Sequence, residues 1–205
     1  MKTPLLLIPL VLLSGLAEAA VLNDARTIAR ACAVYCHGPL LEAVQLSGIF
    51  NDSKTFVDMP LRVSPEAALA EFARLNNSEN EEVLQGFLSS YFLPPGTGDL
   101  VAATPPDWLP NPPLLDHIGN DDDGGGGDGD GAKWRKFAFD LNQIWPALYR
   151  TTGGAVGENP ERYSLLRRRR GLVLPGGRFR ETYYWDSYWI VRGLLVCGMQ
   201  ETASG

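Results

Sequence analysis

An all-α fold is what this sequence predicts, and three observations carry the prediction. Apolar residues recur at three- and four-residue spacing in one segment after another, as in Trp134, Phe137, Leu141, Ile144, Trp145 and Leu148. Helix-opening signals precede such segments. The clearest is Ser64-Pro65-Glu66, where serine can cap and proline fits the first helical position. Nowhere does apolar–polar alternation persist long enough to demand a strand. At 205 residues the chain can hold one domain with a sizeable core, or two small ones.

The N-terminus has a different character. Lys2 precedes the apolar run LLLIPLVLL at 5–13, which leads into Ser14, Gly15 and Ala17-Glu18-Ala19. A basic start, a short apolar core and an Ala-x-Ala site describe a signal peptide over 1–19, with cleavage expected after Ala19 or Ala20. The run is shorter than the ~20 residues of a membrane span, and no later segment resembles one. The mature chain is therefore expected to be soluble, secreted and able to form disulfides. Its three cysteines, Cys32, Cys36 and Cys197, are odd in number, so one stays free or pairs outside the chain. Cys32 and Cys36 fit a local bridge near a helix end, or equally two small buried residues. Asn51-Asp52-Ser53 and Asn76-Asn77-Ser78 are acceptor tripeptides for glycans in an exported protein. With only His37 and His117 available, a Cys/His zinc site is not expected.

The helices follow in order. Residues 23–34 and 39–48 read as two helical pieces broken at His37-Gly38-Pro39, the second with Leu40, Leu41, Val44 and Leu46 on one broad face. Residues 51–62 read as an irregular connection. The helix opened by Ser64 carries Ala68, Leu69, Phe72 and Leu75 as its core stripe, and the next spans about 80–92 with Val83, Leu84, Phe87, Leu88 and Tyr91 inward. Pro94-Pro95-Gly96 stops it, and 94–113 reads as an extended surface segment anchored by Trp108.

Residues 120–131, NDDDGGGGDGDG, cannot bury anything and read as a flexible loop. The spacing and closing glutamate of an EF-hand are missing there, which argues against calcium. The helical pattern returns from Ala132 to about Arg150, with Pro146 expected to kink or shorten it. Asn159-Pro160-Glu161-Arg162 signals a turn and short helix. Arg167 to Arg170 reads as an exposed loop, because a formal net charge of −6 does not suit a binder of nucleic acid. The stretch Trp185 to Gln200 is apolar on nearly all sides, the mark of a helix buried inside something large.

Candidate chemistry concentrates in PGGRFRETYYWDSYW, residues 175–189. Pro175-Gly176-Gly177 allows a sharp turn and close backbone approach to a ligand. Arg178 offers a planar fork of donors, Trp185 a flat apolar face and Asp186 two acceptor oxygens. That set suits a sugar, whose C–H faces lie on tryptophan while its hydroxyls donate and accept. Plainer roles stand beside this one. Asp186 can be the N-cap of the terminal helix, Arg178 and Arg180 can pair with Glu181, and Trp185 and Trp189 can be core.

The same fifteen residues resemble the long signature of the alpha,alpha-trehalases, which hydrolyse trehalose into two glucoses. DSKTFVDMP at 52–60 resembles a second family stretch, and Tyr35-Cys36-His37-Gly38 with Leu40-Leu41, and Pro160-Glu161-Arg162-Tyr163-Ser164, add matches in the family's order. The similarity covers most of 32–204, with the glycine-rich segment and the arginine run at 167–170 set aside. It implies an (α/α)6 barrel with the sugar in a central pocket, and inverting hydrolysis by a carboxylic acid and a carboxylate. It further implies that Arg178, Trp185 and Asp186 bind substrate, with Phe179 beside them in the wall, and that neither metal nor organic cofactor takes part.

The departures are as informative. The family's catalytic acid and base lie downstream of the signature, in stretches with no counterpart here, and its QWDYPN-like and GGGGEY-like motifs are absent. GGGGDGD at 124–130 stands before the arginine signature and is read as an unrelated insertion. Asp52, Asp58, Glu181 and Asp186 match no catalytic position of the family. Residues 20–205 are thus expected to form the N-terminal portion of an incomplete (α/α)6 barrel, inactive alone. The alternative is a non-catalytic secreted protein that binds sugar or regulates a partner.

Overall fold

The computed structural model of the protein describes residues 25–118 and 130–205. The expected signal peptide, and all but the last two residues of the expected loop at 120–131, lie outside them. Those last two, Asp130 and Gly131, open a helix. The described residues are mostly helical and divide into two units, 25–97 with Glu158–Leu166, and 98–118 and 130–157 with Arg167–Gly205.

In the first unit α1 occupies 25–35 and α2 Pro39–Ser47. Then come α3 (Lys54–Val57), α4 (Pro65–Phe72), α5 (Glu81–Tyr91) and a 3-10 turn at Pro160–Arg162. The caps are those the sequence predicts for α4 and one it does not name for α5. Ser64 accepts from the Ala67 N–H at 3.3 Å, and Asn80 accepts from the Val83 N–H at 3.1 Å. Part of the connection expected to be irregular is α3. At the end of α1, Cys32 and Cys36 are joined in a disulfide, which decides between the two readings of that pair.

The core of this unit is aromatic. Phe56 and Phe92 are fully buried with ring centroids 5.2 Å apart, and the Tyr35 ring lies 6.0 and 6.5 Å from them. Leu40, Leu84 and Ala68 close the cluster. Tyr35 needs a partner for its hydroxyl in so apolar a place and finds two, donating to the carbonyls of Met59 (2.7 Å) and Arg162 (3.0 Å). Burial drives its phenol pKa well above the ordinary tyrosine range.

The second unit departs from the all-α expectation by a small sheet. Strands β1 (Leu100–Ala102), β2 (Tyr149–Thr152) and β3 (Leu172–Val173) pair antiparallel in the order β1-β2-β3, with Val101 opposite Thr151 and Tyr149 opposite Val173. The single helix expected over 132–150 is therefore two, α6 (Asp130–Asn142) and α7 (Trp145–Leu148), after which the chain turns extended. Pro146 falls in the first turn of α7, where its missing N–H is harmless. Gly171 fits under β2 because a Cβ there would lie 2.2 Å from the Tyr149 ring.

The remaining elements are α8 (Gly154–Glu158), α9 (Tyr184–Val196), α10 (Gln200–Ala203) and a 3-10 turn at Pro113–Asp116. Tyr149, Val173, Leu194 and Met199 form the core, with Trp108, Trp145 and Leu148 packed against it. Trp108 anchors its segment as expected, its indole N–H donating to the Asn142 carbonyl at 3.0 Å. Cys197 is a free thiol that accepts from the Trp145 indole N–H at 3.4 Å. Asp107 accepts from the Glu201 N–H (2.7 Å), the Thr202 N–H and the Thr202 hydroxyl. Partial burial works to raise its pKa, but these three donors hold it below the usual carboxylate range.

The C-terminal helix, apolar on nearly all sides, finds little cover among the described residues. Within α9 only Leu194 is buried, while Trp185, Tyr188, Trp189, Val191, Leu195 and Val196 are exposed. Trp134, Phe137, Leu141 and Ile144 are likewise exposed along and just after α6. Periodicity names an apolar face without saying what lies against it.

Candidate active-site wall

The signature at 175–189 is built from a turn and a helix start, both in the second unit. Gly176 and Gly177 have φ of 98° and 62°, left-handed conformations that cost glycine nothing. The turn closes where the Phe179 N–H donates to the Gly176 carbonyl at 3.3 Å, and the two residues form an isolated antiparallel bridge. Arg178 is thereby placed at the tip and is exposed. Its guanidinium carbon stands 5.1 Å from the centroid of the Phe179 ring, within range of a cation–π contact. Phe179 in turn meets Tyr183 edge-on at 5.0 Å.

Tyr183 is the residue that leads into α9, so Trp185 and Asp186 are the second and third residues of its first turn. Asp186 is half-buried there, near the positive end of the helix dipole, and it is not the N-cap. Trp185 is 71% exposed among the described residues and meets Trp189 edge-on at 6.0 Å. Tyr188 continues this aromatic ladder, 5.0 Å from Trp189, and the Arg192 guanidinium covers its ring at 5.7 Å. The helix thus presents flat apolar plates beside a carboxylate, and the turn a guanidinium.

A cleft of about 150 Å³ lies beside the turn, lined by Leu148, Arg150, Gly176, Gly177, Phe179 and Arg180 among others. Of the four expected site residues, Phe179 is the one that lines it; Arg178, Trp185 and Asp186 lie outside. Arg178 and Phe179 are in contact, and Trp185 and Asp186 adjoin on one helical turn. Glu181 accepts from the Arg180 N–H at 3.2 Å and the Tyr183 hydroxyl at 2.8 Å. The Arg180 side chain also pairs with the carboxylate of Asp99, 81 residues away, a pairing that no local pattern could reveal.

The carboxylates elsewhere have local work. Asp52 accepts from the Lys54 N–H at 2.9 Å, and Asp58 pairs with the Lys54 ammonium at 2.7 Å. Among the described residues no three His, Cys, Asp or Glu side chains converge as a metal site would need.

The profile of the Trehalase family matches residues 48–205, a span that contains every residue of this wall. The chain belongs to the trehalase family. Over 176 residues it is 42% identical to a trehalase of Bombyx mori and 39% identical to a trehalase of Homo sapiens. A trehalase of Dictyostelium discoideum is 42% identical over 181 residues. Each alignment covers 84% of this chain and 28% of the relative, so the chain spans about 28% of the length of the trehalases it matches. The glycine turn, the arginine tip and the aromatic helix start are this trehalase-family chain's own geometry at the signature.

Proposed function

We propose that this chain supplies the glucose-holding wall of a trehalose-hydrolysing glycosidase, on helices that form part of an α/α toroid. The observation that carries the reading is the grouping at 178–186 inside the family match. A guanidinium stands on a two-glycine turn, and an exposed indole and a carboxylate stand on the helix start that follows. In this reading Arg178 donates to sugar hydroxyls, Asp186 accepts from them and Trp185 stacks on a C–H face, with Phe179 seating Arg178. The hydroxyl-rich ligand needs both donors and acceptors, and the wall offers both.

Hydrolysis with inversion needs one carboxylic acid to protonate the glycosidic oxygen and one carboxylate to activate water, ~6.5–9.5 Å apart. Asp52, Asp58, Glu181 and Asp186 match no catalytic position of the family, so this reading assigns the pair to family segments outside this chain. The chain alone then binds trehalose weakly and does not cleave it. We also place the protein outside the cell. The Cys32–Cys36 disulfide and the signal-like start of the sequence support that, since such bonds persist in oxidising compartments.

The test is a chimera in which residues 48–205 replace the matching stretch of the Bombyx mori trehalase. It should release glucose from trehalose, and Arg178→Ala should lower kcat/KM on the order of a hundredfold while leaving the far-UV spectrum unchanged. A folded chimera with no turnover, or one indifferent to Arg178→Ala, would remove the reading.

A further inference from the structure

Arg180 lies two residues past the turn tip, and its side chain is gripped from another part of the second unit. Its Nε donates to Asp99 Oδ2 at 3.1 Å and its Nη2 to Asp99 Oδ1 at 2.6 Å, a two-pronged pair of charge-assisted hydrogen bonds. Asp99 is 6% exposed. It is itself fixed to the sheet: it directly precedes β1, its carbonyl accepts from the Gly153 N–H at 2.8 Å, and the Leu100 N–H donates to its Oδ1. One end of the pair is therefore rigid.

The other end controls the turn. Arg180 follows Phe179, whose N–H closes the turn and whose ring carries the Arg178 guanidinium. Gly176 and Gly177, which make the turn possible, bring no side chains to pack it in place. The cleft alongside, which Arg180 and Phe179 both line, leaves room for the turn to shift. A two-glycine turn next to open space samples many directions unless something outside it holds it.

We propose that the Asp99–Arg180 pair is a positioning clamp, tying the Gly176–Phe179 turn to β1 so that Arg178 is held in one direction. The inference rests on the reading of Arg178 as a sugar contact. Stability alone is a poor explanation of the pair, because taking the Asp99 carboxylate out of water offsets much of its attraction to Arg180, whose side chain stays 34% exposed. Orientation of a neighbouring donor is a role that the offset leaves intact. Arg180 is a positioning residue here, acting through Arg178.

The experiment uses the full 205-residue chain, with Arg180→Gln, which keeps much of the shape but drops the charge, and Arg180→Lys, which keeps the charge but loses the fork. Three quantities are read: exchange of the Phe179 amide, order of the Arg178 Nε–H by NMR relaxation, and the shift of that resonance on adding trehalose. Arg180→Gln should speed Phe179 exchange about tenfold or more, disorder Arg178 and weaken its trehalose response by a similar factor. The amide of Phe92, bonded to the Leu88 carbonyl in the first unit, should not change. Arg180→Lys should fall between wild type and Arg180→Gln.

Unchanged Phe179 exchange and Arg178 order in a folded Arg180→Gln protein would overturn the clamp. If Arg180→Gln does not fold, Arg180→Lys decides by the same readings. If neither folds, the pair is a stability element and the proposal is wrong. A wild-type Arg178 that ignores trehalose would count against the sugar-contact reading, while Phe179 exchange would still decide the clamp.

Discussion

The two units use their aromatic residues in opposite ways. In the first, Tyr35, Phe56 and Phe92 face one another in a buried cluster, and the one polar atom among them is satisfied by two carbonyls. In the second, Trp134, Phe137, Trp185, Tyr188 and Trp189 stand exposed on α6 and α9, and its buried core is the smaller set around Tyr149 and Met199. The first unit puts its apolar surface into stability. The second leaves much of its aromatic surface outward, on the same elements that carry the proposed sugar contacts.

The largest effect that would break this contrast is a core truncation. Phe56→Ala should cost ~3–5 kcal/mol in denaturant unfolding, while Trp189→Ala, at an exposed position, should cost no more than ~1 kcal/mol. Equal costs would mean that the exposed ladder is structural. Next, reducing the Cys32–Cys36 bridge should destabilise the first unit by about 2 kcal/mol, the value for so short a loop. Amide exchange should show that loss at the Phe92 amide and spare β2.

Asp107→Asn sharpens the comparison from the other side. Losing the charge that receives Glu201, Thr202 and the Thr202 hydroxyl should cost about 1 kcal/mol and fray α10 alone. Its folded pKa lies below the unfolded one. The contribution is therefore complete above the unfolded pKa and disappears as pH falls through the folded value.

The smallest effect belongs to Glu66. The hydrogen bond from Arg30 takes its pKa from 4.5 down to about 2, so its contribution is present above about pH 4.5 and lost toward pH 2. Both partners are more than a third exposed, so Glu66→Gln should cost under ~1 kcal/mol and less still in high salt. An acid titration of the variant against wild type reads this directly.

How much of this was legible in the sequence follows the same division. Helices α2, α4 and α5 were readable because proline, serine and apolar spacing act locally, within a turn or two. The strands were not, because each is two to four residues long and pairs across dozens of residues, as Leu100 does with Thr152. The signature announced its chemistry through residue types, and its helix start fell one residue before Trp185. What the sequence hid was long-range: local reading could offer Arg180 only nearby Glu181, and the structure adds a two-pronged pairing with Asp99.

The central claim is that the guanidinium on the Gly176–Phe179 turn and the indole and carboxylate at the start of α9 meet one glucose ring. Titrating the chain with trehalose while following the tryptophan indole N–H resonances tests it most directly. Trp185 should move saturably, Trp134 and Trp108 should stay still, and no glucose should appear. A Trp185 signal unmoved by trehalose, or moving no more than Trp134, would contradict the account.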